Sequence, residues 1–323
     1  MGSNLKKQAG LIGDEIKIID LPLDLPAAND THIIQNTPEG LHYAPLNVSG
    51  QLERVKIMTD FFFQSTSALL IVDVSVEVAM LARLCGVPAI IMRQHGRRDD
   101  LPHQIAYRNA IGLLAPYGRS MQGREEQWIT EKTYYAGGLA RFKQQQDTAD
   151  VANRMVGIIV GSGGSSIDGK FLLHLSRSCP KWQFQLLGEI DIEGSLPNNL
   201  ICHGRVKDPL ALLQPCCLII GNAGHNTVIE MASLNKRFIV IPEERPFDEQ
   251  LEKAEILSGL QLGKTVLPER LMSTNWNTLL EEQLEYVPNW KDMVDTHAAE
   301  NAANYIRKCF QQVFKSSERL QSF

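Results

Sequence analysis

A turn of small residues between a predicted strand and a predicted helix could hold a phosphate group. The apolar run 216–220 has the length and composition of a buried strand. The turn 221–224 that follows it contains two glycines, which let the backbone approach a ligand closely. A helix is predicted over 225–234, and its first turn directs unpaired N–H groups and a partial positive charge back at the turn. Glu230 lies further along this helix, where its carboxylate could accept hydrogen bonds from ribose hydroxyls.

A second combination of strand, glycine-rich loop and helix occurs at residues 155–178. The predicted strand 155–160 leads directly into Gly-Ser-Gly-Gly-Ser-Ser at 161–166, and a helix is predicted from there to about residue 178. This context suits a loop that holds phosphate or approaches a sugar. The loop is not a Walker motif, because no Gly-Lys-Ser/Thr follows it. It also departs from the dinucleotide fingerprint, because Ser166 replaces the third glycine.

The segment 93–103 concentrates charged and titratable side chains. It contains two histidines, three arginines and two aspartates, and it follows the predicted strand 87–92. Open α/β sheets place ligands at the carboxyl ends of their strands. An unperturbed imidazole titrates near neutral pH, so His95 and then His103 are the candidate general bases. Two alternatives stay open, namely a solvated charged loop and a segment whose arginines bind an anionic acceptor.

The order of residues from 221 to 250 resembles the donor-binding half of the family-28 glycosyltransferases. The best-known member of that family is the lipid-linked N-acetylglucosaminyltransferase of peptidoglycan synthesis. The motif residues that match are Gly221, Gly224, Thr227 and Glu230, followed by the pair Asp248 and Gln250. The Gly-Gly-Ser loop of the family is matched by residues 163–165. The residues that the resemblance places around the sugar donor are Gly163, Gly164, Ser165, Val206, Asn222, Gly224, His225, Asn226, Thr227, Glu230, Asp248 and Gln250.

The resemblance also implies a role for each part of this set. The turn after residue 220 would hold a diphosphate, Glu230 would hold the ribose, and Asp248 and Gln250 would hold sugar hydroxyls. The backbone near Val206 would touch a uracil base. The implied reaction is an inverting transfer of a hexose or N-acetylhexosamine from a nucleotide-diphosphate donor, expected to be UDP-linked, to an unknown glycan or lipid-linked acceptor.

Two other functions remain open on the same fold. One is a non-catalytic or split-subunit module that binds a sugar nucleotide, and the other is a nucleotide-sugar hydrolase or epimerase. Nothing in the sequence requires a metal ion or another cofactor, so metal-independent chemistry is expected. The acidic run 189–193 is interpreted as a solvated loop rather than a metal motif.

The resemblance implies an α/β GT-B fold, in which two Rossmann-like, doubly wound domains face a cleft. The expected parts are an acceptor-side domain at 1–118, a connection at 119–150, a donor domain at 151–300 and a C-terminal helix at 301–323 that packs back on the first domain. Residues 5–10 have the character of a helix end and residues 15–20 that of a strand. The first strand and the glycine-rich loop of such a domain are therefore expected to be missing, which would leave the N-terminal domain incomplete. The resembling enzymes carry an important histidine in that loop.

Composition excludes several classes of protein. The 323 residues are 44% hydrophobic and 21% charged, which is enough apolar material for two ordinary cores. The net charge of −5 argues against a general nucleic-acid binder. The six cysteines form no C-x-x-C pair and are expected to be buried free thiols. No signal peptide or membrane-spanning stretch is present in the sequence, so a cytoplasmic protein with at most peripheral membrane contact is expected.

Overall fold

The computed structural model describes residues 1–3, 5, 12–142, 151–161 and 163–315. These residues form two parallel β-sheets, one in each half of the chain, with helices packed around them. The α/β class and the two-sheet architecture expected from the sequence are confirmed. The helix end predicted at 5–10 lies outside the described residues, apart from Leu5.

The first sheet has four short strands in the spatial order β1-β2-β3-β4, and every neighbouring pair is parallel. The strands are β1 (Leu70–Val72), β2 (Ala89–Met92), β3 (Gly112–Ala115) and β4 (Thr133–Tyr135). All four residues of β3 are buried. Such continuous apolar runs are typical of parallel strands that are covered on both faces.

The second sheet has six parallel strands in the order β10-β9-β8-β5-β6-β7. The strands are β5 (Met155–Ile159), β6 (Gln183–Leu187), β7 (Leu200–Cys202), β8 (Leu218–Gly221), β9 (Arg237–Val240) and β10 (Lys264–Thr265). Ile159 at the end of β5 pairs with Leu187 on one side and with Gly221 on the other. The loops that follow these three strands therefore leave the sheet at one edge and at the same level.

Helices cover the faces of both sheets. They are α1 (Ser49–Gln64), α2 (Val76–Leu84), α3 (Leu101–Asn109), α4 (Gln127–Lys132), α5 (Gly169–Ser178), α6 (Leu210–Leu213), α7 (His225–Ser233), α8 (Glu249–Gly259), α9 (Trp276–Glu285) and α10 (Ala298–Phe314). None of the helices among the described residues is both long and apolar enough to cross a membrane.

The helix starts differ in a way that matters for binding. The side chain of Asp168 caps α5 by accepting a 2.7 Å hydrogen bond from the amide of Phe171, and Asp100 caps α3 in the same manner. Helix α7 begins after Gly224 without a side-chain cap. The first amides of α7 therefore keep their capacity to bind an anion.

The last helix, α10, packs on the first sheet although it follows the second. The rings of Tyr305 and Tyr134 stack with centroids 4.4 Å apart. Cys309 is buried against Ile90 and Leu114. The helix thereby covers one face of the first sheet with residues from the far end of the described chain.

Three local expectations from the sequence are wrong. Residues 15–20 do not form a strand, and only a single bridge joins Gly2 to Asp20. The segment 119–150 is not merely a connection, because it contributes β4, which completes the first sheet. The thiols are not all buried, since Cys85 and Cys202 are exposed.

Candidate functional site

A cavity of about 550 Å³ opens at the carboxyl edge of the second sheet. Its walls come from the ends of β5 and β6, the loop after β7 and the second turn of α7. The residues that line it are Arg141, Ile159, Val160, Gly161, Gly164, Ser165, Ile167, Leu187, Gly188, Glu189, Ile190, Arg205, Val206, Pro209, Leu213 and Glu230. This edge is where open α/β sheets bind their ligands. Four residues that the resemblance placed around a sugar donor, Gly164, Ser165, Val206 and Glu230, lie in this wall.

Glu230 is the carboxylate of the cavity and is paired with an arginine. Its Oε1 lies 2.7 Å from Nη2 of Arg141, and its side chain is only 14% exposed against 54% for Arg141. Burial raises the pKa of Glu230, while the guanidinium of Arg141 acts in the opposite direction. The site therefore offers a carboxylate acceptor and a partly exposed guanidinium side by side, which suits a ligand with both hydroxyl and phosphate groups.

The turn that precedes α7 is fixed from within. Oδ1 of Asn222 accepts hydrogen bonds from the amide of Gly224 at 3.0 Å and from the hydroxyl of Thr227 at 3.4 Å. A Cβ on Gly224 would lie 2.9 Å from that same oxygen. Asn222 therefore orders the turn. Asn226, the second residue of α7, is exposed to solvent. The turn is held in one conformation, and the backbone amides at the start of α7 that follow it have no side-chain cap. A phosphate-binding site needs such fixed, unpaired amides.

The glycine and serine loop after β5 is held by side chains from the segment after β9. The buried carboxylate of Glu243 accepts hydrogen bonds from the hydroxyl of Ser165 at 2.9 Å and from the amide and hydroxyl of Ser166 at 2.8 and 2.6 Å. Nη2 of Arg245 donates to the carbonyls of Gly163 and Gly164. Ser165 thus lines the cavity, but its hydroxyl is bonded to Glu243 and helps to fix the conformation of the loop.

Gln250 has a structural task that the sequence did not reveal. Its Oε1 accepts hydrogen bonds from the amides of Ala223 and Glu243, at 3.2 and 3.0 Å, and the side chain is buried. The oxygen expected to hold a sugar hydroxyl therefore joins the turn before α7 to the segment after β9. Asp248 lies in the left-handed region, with φ of 54°, and its carboxylate lies 3.6 Å from Arg97. Neither residue lines the 550 Å³ cavity.

His95, the first candidate general base, is buried outside the cavity. Its ring is buried, and Nε2 lies 2.9 Å from the carbonyl oxygen of Met121, so this nitrogen carries the proton and donates. Burial, with the charge of Lys253 nearby, lowers the pKa of His95 well below its ordinary value. His95 packs against Tyr117 and does not line the cavity. His95 therefore lies at the contact between the two halves, and its assignment as a general base stays a prediction.

His225 lies near His95 and Tyr117, at the contact between the two halves, and does not line the cavity. Its ring centroid is 6.3 Å from those of His95 and of Tyr117. Burial lowers the pKa of His225 to about 4, with a further contribution from Lys253. The imidazole is therefore neutral at pH 7, and the backbone amide of His225 is the group that the uncapped helix start can offer to an anion.

His103 is also engaged on both ring nitrogens. Nδ1 lies 2.6 Å from Oδ2 of Asp100, and Nε2 lies 3.1 Å from Nη1 of Arg98. Arg98 can only donate, so Nε2 of His103 accepts and Nδ1 carries the proton. A buried ring with both nitrogens committed has no free site for a substrate proton, which corrects its assignment as the second candidate base.

The loop 93–98 makes direct contact with the segment 247–252 of the second half. The amide of Arg97 donates to the carbonyl of Phe247 at 2.7 Å, and the guanidinium of Arg98 lies 4.8 Å above the Phe247 ring. The amide of Gly96 donates to Oε2 of Glu252 at 2.5 Å. The loop therefore lies between the two halves, where Arg97 and Arg98 form ion pairs with Asp248 and Glu249 at 3.6 and 4.0 Å.

Several residues of the site carry no recognisable sequence signal. They are Arg141, Glu189, Arg205, Glu243 and Arg245. Glu189 belongs to the acidic run that was interpreted as a solvated loop, yet it lines the cavity. Glu243 and Arg245 follow β9 directly, and the position after a parallel strand is the one signal that could have drawn attention to them.

Comparison with known proteins identifies the architecture. Residues 208–313 match the sequence model of the glycosyltransferase family 28 C-terminal domain. No curated protein is detectably similar to the chain in sequence. Among solved structures, the glycotransferase of kitacinnamycin shares 14% identity over 84% of this chain and 79% of its own, with a TM-score of 0.58. MurG of Acinetobacter baumannii shares 19% identity over 80% of this chain and 79% of its own, with a TM-score of 0.55.

A third solved structure is the spinosyn rhamnosyltransferase SpnG in complex with thymidine diphosphate. It shares 17% identity over 81% of this chain and 74% of its own, with a TM-score of 0.51. At these identities the structural likeness establishes the fold. The chain has the GT-B fold of glycosyltransferases, and residues 208–313 are similar to the C-terminal domain of glycosyltransferase family 28.

Proposed function

We propose that the protein is a glycosyltransferase that moves a sugar, with inversion, from a nucleotide-diphosphate donor to a hydroxyl acceptor. The donor class we favour is a UDP-hexose or UDP-N-acetylhexosamine, and the acceptor class is a glycan or a lipid-linked glycan. The observation that carries the proposal is the cavity at the end of the second sheet. It combines a glycine-rich loop, an uncapped helix start nearby and the carboxylate of Glu230.

Each part of the cavity fits one part of such a donor. Glu230 can accept hydrogen bonds from the two ribose hydroxyls, and its buried position makes such bonds strong. The loop after β7, at Val206, lies across the cavity and can receive the base. The turn 221–224 and the amides at the start of α7 can stabilise the negative charge that develops on the leaving diphosphate.

The comparisons support the class of ligand. SpnG was solved with thymidine diphosphate, so a protein of this fold binds a nucleoside diphosphate. MurG has the same fold, and the family whose model matches residues 208–313 is a glycosyltransferase family. Arg141 and Arg205 line the cavity and can donate hydrogen bonds to phosphate oxygens, while the carboxylates of Glu189 and Glu230 balance their charge.

A thermal-shift series with UDP, GDP, dTDP and ADP tests the donor class. A nucleotide that binds only the folded protein raises the melting temperature by mass action. We expect UDP to give the largest shift and the variant Glu230→Gln to weaken UDP binding by about 1–3 kcal/mol, since a charged hydrogen-bond acceptor is lost. Isothermal titration calorimetry gives the affinities.

Glu255→Gln is the matched control, because Glu255 is an exposed carboxylate on α8 and does not line the cavity. It should leave the UDP affinity unchanged. A wild-type protein that binds none of the four nucleotides would contradict the proposal. Binding that survives Glu230→Gln would remove the ribose assignment while leaving the donor class standing.

A further inference from the structure

A second carboxylate, that of Glu189, lines the cavity directly after the end of β6. Gly188, which precedes it, has φ of +129°, and a Cβ at this position would lie 2.6 Å from the carbonyl oxygen of Val160. The glycine therefore lets the chain after β6 pass close to the end of β5. The backbone that carries Glu189 is thereby held against the edge of the sheet.

The loop after β7 brings a guanidinium to the same wall of the cavity. The amide of Gly188 donates a 2.9 Å hydrogen bond to the carbonyl oxygen of Gly204. Glu189 and Arg205 each follow one of these two glycines, and both line the cavity. Within the part of the chain that the structure describes, no hydrogen bond or ion pair engages either side chain. The wall therefore presents an acceptor group and a donor group to a ligand.

The residues next to this pair along the chain make the same end of the cavity apolar. Those that line the cavity are Leu187, Ile190, Val206, Pro209 and Leu213. A flat aromatic base suits such a place, because its faces contact apolar side chains while its edge requires only a few polar groups.

The position of Glu189 relative to Glu230 also suits a nucleoside. Glu230 belongs to α7, which follows β8, whereas Glu189 follows β6, and β5 lies between these two strands. Neighbouring strands lie about 4.8 Å apart, so the ends of β6 and β8 are separated by about 10 Å. A carboxylate on each side of β5 thus gives the cavity one end for the ribose and another for the base.

We propose that Glu189 selects the base of the donor by accepting a hydrogen bond from N3–H of uracil. This inference rests on the proposed function. Uracil carries a donor at N3 between two carbonyl oxygens, and a carboxylate is an acceptor. The carboxylate repels those carbonyl oxygens, and the guanidinium of Arg205 in the same wall offsets this repulsion. Cytosine presents an unprotonated N3 at the same place and is therefore disfavoured, whereas thymine has the same edge as uracil.

A solvated surface acid is the competing account, since Glu189 begins the acidic run 189–193. The other two acids of this run, Asp191 and Glu193, do not line the cavity. Glu193 is exposed, so Glu193→Ala removes a carboxylate from the same loop without changing the cavity wall. It is therefore the matched control for Glu189→Ala.

Calorimetric titration with UDP and with N3-methyl-UDP tests the inference, because the methyl group replaces the hydrogen that Glu189 would accept. We expect wild type to bind UDP about tenfold more tightly than N3-methyl-UDP. Glu189→Ala should bind UDP about tenfold more weakly than wild type and should bind the two nucleotides equally well. Glu193→Ala should behave as wild type.

Two further ligands separate recognition of the base from the charge of the side chain. Pyrophosphate has no base, so Glu189→Ala should bind it as wild type does. Wild type should prefer UDP over CDP by about tenfold. Glu189→Gln carries an amide donor beside its acceptor oxygen and can therefore pair with N3 of cytosine, so this variant should narrow that preference.

The outcomes separate this inference from the proposed function. A Glu189→Ala variant that still prefers UDP over N3-methyl-UDP as wild type does overturns the inference and leaves the nucleotide donor standing. Equal strengthening of UDP and pyrophosphate binding in Glu189→Ala also overturns it, because the carboxylate would then only repel phosphate. A wild-type protein that binds GDP but not UDP has the same consequence. A wild-type protein that binds no nucleotide contradicts both proposals.

Discussion

The amide of Gly96 donates a 2.5 Å hydrogen bond to the carboxylate of Glu252, and the two residues belong to different halves of the chain. Gly96 has a backbone φ of +105°, a conformation that residues other than glycine rarely adopt. A Cβ at this position would lie 2.6 Å from the carbonyl oxygen of Phe247. The close approach of the first domain to the segment 247–252 therefore depends on the absence of a side chain at Gly96.

Gly96→Ala should destabilise the protein more than the same change at another glycine with positive φ. We expect Gly96→Ala to lower the free energy of unfolding by about 3 kcal/mol, from backbone strain and the clash with a carbonyl together. Gly86 has φ of +72° with open space around its Cβ, so Gly86→Ala should cost only about 1 kcal/mol. Urea unfolding followed by circular dichroism measures both. Equal losses would show that the backbone at Phe247 moves aside without cost.

Gln250→Leu should be destabilising although it replaces a polar side chain by an apolar one in a buried place. The change leaves the amides of Ala223 and Glu243 without their acceptor. An unsatisfied buried donor costs about 1–3 kcal/mol, so a loss of about 3 kcal/mol in unfolding free energy is expected for the two. Gln311→Leu on the exposed side of α10 is the control and should change stability by less than about 0.5 kcal/mol. A neutral Gln250→Leu would mean that water satisfies both amides.

Glu243→Gln should weaken nucleotide binding although Glu243 does not line the cavity. Its carboxylate receives three hydrogen bonds from Ser165 and Ser166, and a glutamine offers one oxygen in place of two. A loop that loses its fixed shape has to be ordered on binding, and we expect UDP affinity to fall about tenfold, or about 1.4 kcal/mol. Glu244→Gln, at the exposed neighbouring position, should leave the affinity unchanged. Calorimetric titration compares the two variants, and equal affinities would show that Glu243 does not govern the loop.

The sheets could be predicted from the sequence because their signals are local. Apolar runs such as 156–160 and 216–220 are long enough for buried parallel strands, and small residues follow each of them. Strand β4 could not be predicted from the sequence, because Thr133–Tyr135 is only three residues long and follows a polar stretch. Its place in the sheet is decided by pairing with β3, which no local pattern reveals.

The side chains of the site were harder to predict because their roles depend on partners far along the chain. His95 and His103 stand in a segment with the right composition. Met121, however, engages Nε2 of His95, and Asp100 and Arg98 engage both ring nitrogens of His103. Asp100 joins His42 across 58 positions of sequence, and Ser165 reaches Glu243 across 78. Composition indicates which residues could act, whereas tertiary contacts decide which of their atoms remain free.

Lys253 should make the protein more stable as the pH rises from 8 to 9.5. Its ammonium group lies in the interior, where burial lowers the pKa to about 8 from the ordinary 10.5, although Glu249 at 3.4 Å acts in the opposite direction. Between these two values the unfolded chain binds a proton at this lysine that the folded chain has released. The free energy of unfolding therefore increases with pH in that interval, by at most about 1.4 kcal/mol per pH unit from this group. Lys253→Met removes the titrating group and should flatten the rise, whereas Lys308→Met at an exposed position on α10 should preserve it. Urea unfolding at pH 8.0, 8.5, 9.0 and 9.5 gives the slopes, and an equal slope in wild type and Lys253→Met would show that the lysine keeps its proton when buried.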